Sequence, residues 1–267
     1  MAGPNPERVR IDYDEHVATV RLVRAGKHNA LDWEMFASLN AALDELSGRP
    51  GLRAVVLAGE GPSFCSGLDF PSFLSGDVNI DELFSRRDGE TANQAQRITY
   101  GWQRLEVPVI AALHGHCLGG GAQLALGADV RIAGPDLRFS VMEVRYGLIP
   151  DMGITQTLPT LTGLDVAKEL TFTGRIVEAE EALRLGLVTR LADDPQASAH
   201  ELAREIAARS PDAIRRAKRL WNEAGARDER ALELEAALQR ELLGTPNQIA
   251  AVQAALANEP ARFSDPA

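Results

Sequence analysis

The sequence predicts an α/β protein with an N-terminal core of strands and helices and a C-terminal helical region. Three patterns carry that expectation: an alternating hairpin opens the chain, two short apolar runs lead into glycine-rich turns, and beyond Gly163 apolar residues recur at helical spacing. Residues 1–162 are read as the α/β core and 163–267 as the helical region, divided by a change of texture rather than by a linker.

Taken in order, Arg8-Val-Arg-Ile-Asp-Tyr13 and Val17-Ala-Thr-Val-Arg-Leu22 alternate around Asp14-Glu15-His16, which predicts a hairpin with one buried face. Asp32 stands as N-cap before a helical face of Met35, Phe36, Leu39, Leu43 and Leu46, and Gly48 and Pro50 stop it. Ala54-Val-Val-Leu-Ala58 and Val109-Ile-Ala-Ala-Leu113 read as buried strands, with a helix between them from about Leu83 to Leu105. Gly119-Gly-Gly121 leads into a helix over Ala122-Gln-Leu-Ala-Leu126, and Asp129-Val-Arg-Ile-Ala133 returns as a strand. A further helix is expected over Gly153-Ile-Thr-Gln-Thr-Leu158. Beyond it the chain reads as helical almost throughout, with breaks near Gly174, Gly186, Ser210-Pro211, Gly225 and Thr245-Pro246.

At 267 residues, 45% apolar and 25% charged, the chain can bury one core without disulfide or metal staples. A net charge of −10 with no run of Lys or Arg excludes a general nucleic-acid binder. Cys65 and Cys117 lack the spacing of a disulfide framework, which fits a reducing cytoplasm. The stretch from Met1 to Arg10 has no apolar signal region and no apolar run is long enough to span a bilayer, so a cytoplasmic protein without a membrane partner is expected.

Chemistry is sought in the two turns, Phe64-Cys-Ser-Gly-Leu-Asp69 and Gly115-His-Cys-Leu-Gly-Gly-Gly121, each following a predicted strand. Such turns can aim backbone N–H groups at one anionic oxygen, although any single glycine is as well explained by a tight turn. Cys117 stands where a dinucleotide fingerprint needs its second glycine, and no segment spells a P-loop. Gly61-Pro-Ser-Phe-Cys65 lacks the closing glycine of a nucleophile elbow, which leaves Ser63 and Ser66 as turn residues. His114 and His116 share a strand face without acidic or cysteine partners at metal-ligand spacing.

Together with Lys27-His-Asn-Ala-Leu31, Phe172-Thr-Gly-Arg175 and Ala182-Leu-Arg-Leu-Gly-Leu-Val188, these turns resemble the signature segments of the crotonases, the enoyl-CoA hydratase and isomerase superfamily. The resemblance implies a spiral of repeated ββα units, with an acyl-CoA site in residues 1–162 and lid and oligomerisation surfaces in 163–267. It implies an acyl-CoA thioester substrate, coenzyme A being part of that substrate, with no separate cofactor and no metal. The N–H groups of Leu68 and Gly120 then match the oxyanion hole that holds the thioester oxygen; Leu68 replaces a usual small residue, which alters the acyl pocket and leaves the backbone donor. Arg24, Lys27, Ala30, Ser66, Gly67, Asp69 and Gln123 become substrate-binding candidates, with Arg24 and Lys27 near the phosphates; without the resemblance these two are solvated loop charges. The acyl channel is expected within Phe70 to Ile98.

Hydratases of this superfamily flank the substrate with two glutamates, and those positions hold Gln123 and Glu143. Gln123 cannot take up and return a proton, so symmetrical activation of water is not available, whereas Glu143 is a competent base. Glu143 and Asp151 are similar to the glutamate and aspartate with which dienoyl-CoA isomerases shuttle protons along a conjugated chain, although those enzymes also carry a carboxylate at the position of Gln123. Isomerisation is therefore favoured, with hydration by one glutamate and a noncatalytic acyl-CoA-binding homologue as alternatives. A peptidase on the related fold lacks a motif-placed serine, histidine and aspartate. Read alone, Glu143 is an exposed carboxylate and Asp151 a cap for the helix over 153–158. The apolar face of Leu232, Ala236, Leu238, Leu242 and Leu243 fits either an oligomer contact or an intramolecular helical layer, and the resemblance implies a homotrimer or a hexamer built as a dimer of trimers.

Overall fold

The computed structural model describes residues 8–74, 80–224, 245–257 and 259–265, and its strands form two sheets. In chain order the strands are β1 Val9–Asp14, β2 Val17–Leu22, β3 Ala54–Gly59, β4 Val109–Leu113, β5 His116–Leu118, β6 Val130–Ala133, β7 Arg138–Ser140, β8 Val177–Glu178 and β9 Arg190–Leu191. The helices are α1 Trp33–Leu46, α2 Phe70–Leu74, α3 Ile80–Phe84, α4 Gln94–Arg104, α5 Gly120–Leu126, α6 Leu158–Thr162, α7 Leu164–Thr173, α8 Ala179–Arg184, α9 Pro195–Ala207, α10 Pro211–Glu223 and α11 Pro246–Ala257. Gly225, the apolar face from Leu232 to Leu243 and residues 75–79 of the expected acyl channel lie outside the described residues.

The larger sheet runs β1-β2-β3-β4-β6-β9, antiparallel at the opening hairpin and parallel beyond it; the smaller runs β5-β7-β8. The hairpin forms as expected, but β2 is buried on both faces rather than one. Ala18, Val20 and Leu22 enter one core, while Val17 joins a second with Val56, Ile110 and Ile132. The cover on that second face is α9, whose Ala199, Ala203 and Ala207 recur every four residues and present a small-residue stripe to the sheet. Sequence alternation reported the pleat and could not report this distant helix.

Helix α1 begins where Asp32 accepts the Met35 N–H at 2.9 Å, as the cap residue predicts. The single helix expected from Leu83 to Leu105 is instead two, because Asn93 and Gln96 exchange hydrogen bonds in a capping box that starts α4. Likewise, no continuous helix covers 153–158: a 3-10 turn at Ile154–Gln156 precedes α6, whose second residue, Pro159, has no N–H to extend a preceding helix. The C-terminal region is not helical throughout, since β8 pairs with β7 and β9 with β6. Strands this short are defined by their partners rather than by their own sequence.

A buried ion pair ties α10 to the core. Lys218 of α10 is buried and donates to Trp102 O at 2.9 Å, Val107 O at 2.9 Å and Asp129 Oδ2 at 2.8 Å. Lys218→Ala strands two carbonyls and a carboxylate, so it is expected to lower stability by about 3 kcal/mol in urea unfolding.

Candidate active site

The two glycine-rich turns are laddered side by side. Cys65 and Cys117 form a parallel bridge, in which Cys65 N donates to His116 O at 2.9 Å and Leu118 N to Cys65 O at 3.0 Å. On its other edge the first turn is joined to the loop after β2: Ser66 N donates to His28 O, Leu31 N to Gly67 O at 2.8 Å and Asp69 N to Leu31 O. Gly67 has φ of 89°, and a Cβ there would lie 2.6 Å from Leu118 O and 3.5 Å from Gly120 N, so the turns touch backbone to backbone. Among the described residues, neither the Leu68 N–H nor the Gly120 N–H has an acceptor. Two unsatisfied donors on adjacent turns can serve one ligand oxygen.

Behind Gly120 stands Gln123, fully buried on α5. Its Nε2 donates to Glu143 Oε1 at 2.6 Å, and its Oε1 accepts the Met152 N–H at 2.9 Å. Glu143 opens a 3-10 turn, Glu143–Tyr146, after β7, and its Oε1 would lie 3.5 Å from a Cβ on Gly119. Its Oε2 is buried without a hydrogen-bond partner among the described residues. Burial, aided by the charge of Asp151, raises the Glu143 pKa above the ordinary glutamate value, against the hydrogen bond from Gln123. Glu143 is therefore no exposed loop carboxylate.

Asp151 is exposed, yet partial desolvation raises its carboxyl from the ordinary aspartate value. It caps no helix: the 3-10 turn at Ile154–Gln156 has Gly153 in the cap position and no side-chain cap. Its neighbour Met152 is buried, and Met152 O accepts from the Thr99 hydroxyl on α4. The loop bearing Asp151 is thus held by α4 and α5 together. No sequence pattern marks Thr99 or Met152 for this role.

The expected coenzyme A contacts divide into two groups. The Arg24 guanidinium is engaged inside the protein: Nε lies 3.1 Å from Asp32 Oδ2, Nη2 2.6 Å from Asp69 Oδ2, and Nη1 donates to Ala30 O at 3.1 Å. Arg8 also pairs with Asp32 at 2.8 Å, a partner that hairpin alternation conceals. Although burial opposes its ionisation, hydrogen bonds from Arg24 and Ser72 hold the Asp69 carboxyl below the usual aspartate value. By contrast Lys27 is exposed, and among the described residues its ammonium has no partner. Ala30 is buried beside Leu31, and Ser66 donates to Lys27 O at 3.4 Å. Arg24 therefore shapes the loop, while Lys27 is the charge open to a ligand.

The remaining polar residues of the turns are occupied locally. His28 Nδ1 is 2.9 Å from the buried Ser63 Oγ, which also accepts the His116 N–H, and His114 Nε2 is 2.8 Å from Gly61 O. Among the described residues no three His, Cys, Asp or Glu side chains group as a metal centre.

In architecture the protein is a crotonase. An enoyl-CoA hydratase from Bacillus anthracis superposes with a TM-score of 0.87 at 29% identity, covering 96% of this chain and 99% of that one. Two relatives in sequence divide between reactions. The mitochondrial Delta(3,5)-Delta(2,4)-dienoyl-CoA isomerase of Mus musculus is 34% identical over 96% of this chain and 81% of its own length. The short-chain-enoyl-CoA hydratase of Clostridium acetobutylicum is 34% identical over 80% of each. The profile of the enoyl-CoA hydratase/isomerase family matches residues 12–263, and the chain belongs to that family.

Proposed function

We propose that the protein isomerises a dienoyl-CoA by moving one proton along the conjugated acyl chain. The observation that carries this reading is the asymmetric pair of groups at Glu143: among the described residues one of its oxygens has no partner, an amide rather than a second carboxylate lies beside it, and Asp151 is the carboxylate whose charge acts on it. The thioester oxygen accepts from the Leu68 and Gly120 N–H groups, so negative charge that develops there meets donors already in place. Glu143 Oε2 removes a proton from the carbon next to the thioester, and the electron pair is shared between the thioester oxygen, through the carbonyl, and the far end of the chain, through the two double bonds. Reprotonation at the far end of the conjugated system, with Asp151 as the acid, shifts both double bonds; Glu143 then loses its proton to solvent and Asp151 regains one, which resets the site. Protons and electrons balance without a redox partner, so no cofactor beyond the substrate's own coenzyme A is required.

Lys27 supplies positive charge for the coenzyme A phosphates, while Ala30, Ser66 and Gly67 border the pantetheine and Arg24 with Asp69 fixes the loop they stand on. The wider reading is a homotrimer, alone or paired into a hexamer, in a reducing cytoplasm that suits two buried free cysteines. Since the Glu143 carboxyl is raised by burial and must be ionised to act, turnover is expected to fall with decreasing pH at a higher pH than an ordinary glutamate would give.

The test is turnover of a 3,5-dienoyl-CoA and a 2-enoyl-CoA by the purified protein. Asp151→Asn is expected to slow dienoyl conversion about a hundredfold. Hydration of the enoyl substrate that survives Asp151→Asn and disappears in Glu143→Gln would replace this reading with a one-glutamate hydratase.

A further inference from the structure

We infer that Gln123 is a positioning residue that fixes which oxygen of Glu143 can receive a proton and ties that base to the loop bearing Asp151. The inference rests on Glu143 being the base. The amide orientation is dictated by its surroundings, since a backbone N–H can only donate: Met152 N, 2.9 Å away, requires Oε1 to face it, which turns Nε2 onto Glu143 Oε1 at 2.6 Å. Oε1 of the glutamate is thereby engaged, and Oε2 is left buried and open. Because Gln123 itself is buried on α5, it has no solvent into which it can rotate.

A carboxylate in the same place would stand about as close to Glu143, and the two groups would have to share a proton. Glutamine keeps Glu143 a single base with one titration. It also favours the ionised form, because its N–H bonds to the charged oxygen. The other groups around Glu143 are neutral or distant: Gly119 and Ser140 lie along the second turn and β7, Arg145 on its own turn packs against Gly174, and Asp151 is the charged group that acts on it among the described residues.

The direct test is 13C NMR titration of the full-length protein labelled at glutamate side-chain carboxyls, with the Glu143 resonance assigned by its absence in Glu143→Gln. In Gln123→Leu the pKa of Glu143 is expected to rise by about one pH unit, because a bond to the charged form is lost. Gln123→Glu keeps an acceptor for Met152 N and nearly the same shape, so it serves if the leucine variant does not fold. There the pair is expected to titrate in two steps, the upper one more than one pH unit above the wild-type Glu143 value. Where dienoyl-CoA is turned over, kcat in Gln123→Leu falls at least tenfold with KM little changed, and its acid limb follows the NMR value. An unmoved Glu143 titration in a folded Gln123→Leu, or a single wild-type-like step in Gln123→Glu, overturns the inference. Absence of turnover in the wild type would instead remove the proposed reaction and leave the NMR result to decide the role of Gln123.

Discussion

Glu143→Gln is expected to lower kcat on dienoyl-CoA about ten-thousandfold while leaving KM within about threefold, since the amide keeps the shape of the site and cannot accept the proton. Steady-state kinetics across pH measures this, and a variant that keeps more than about a tenth of the wild-type rate would remove Glu143 from the base role. The same substitution is expected to raise thermal stability. Burial lifts the Glu143 pKa in the folded protein above its value in the unfolded chain, so the folded state binds the proton more tightly. That contribution to stability is present below the unfolded pKa and lost as pH rises through the folded one. At neutral pH the protein therefore holds an under-solvated charge with an orphaned oxygen, which the neutral amide relieves. Loss of rate with a gain in melting temperature distinguishes a chemical residue from a packing one.

Gly67→Ala is the second large effect. The methyl would be placed at a positive φ of 89° and 2.6 Å from the Leu118 carbonyl oxygen, a backbone atom that cannot swing aside. The first turn must move relative to the second, and the proposed donors on Leu68 and Gly120 no longer converge. A fall in kcat of about a thousandfold is expected, comparable to removal of an oxyanion donor. Gly48→Ala is the control, because Gly48 also has positive φ, at 70°, but open space around it. It carries similar backbone strain at the end of α1 and should keep full activity. Equal losses in the two variants would mean that strain, not donor placement, is responsible.

The chain states some of this directly and conceals the rest. Asp32, Gly119 and the apolar runs of β3 and β4 act over a few residues, and their structural outcome follows from local chemistry. The start of α4 was equally local, since Asn93 and Gln96 stand at capping-box spacing, but helical apolar spacing on both sides masked it. In contrast, the burial of β2 on both faces depends on α9, more than 170 residues away along the chain, and β9 exists only because β6 offers an edge. At the candidate site, the two turns stand out as glycine-rich segments after apolar runs, while Glu143 is singled out only through the family resemblance. The placement of Gln123 was not legible: as a letter it is a lost carboxylate, and only its two hydrogen bonds in space join it to Glu143 and Met152. Arg24 shows the converse, a conspicuous loop cation whose charge is already matched by Asp32 and Asp69.

The ladder that joins Cys65 to Cys117 separates two properties that could otherwise conflict. Where the main chain sets the distance between the Leu68 and Gly120 amides, the side chain at position 68 is free to vary in size without moving either one. Under the proposed function, the acyl pocket can then be reshaped at that position while the proposed donor pair stays in place. In a chain built on this frame, a change of side-chain volume at position 68 is decoupled from the backbone spacing of the two turns.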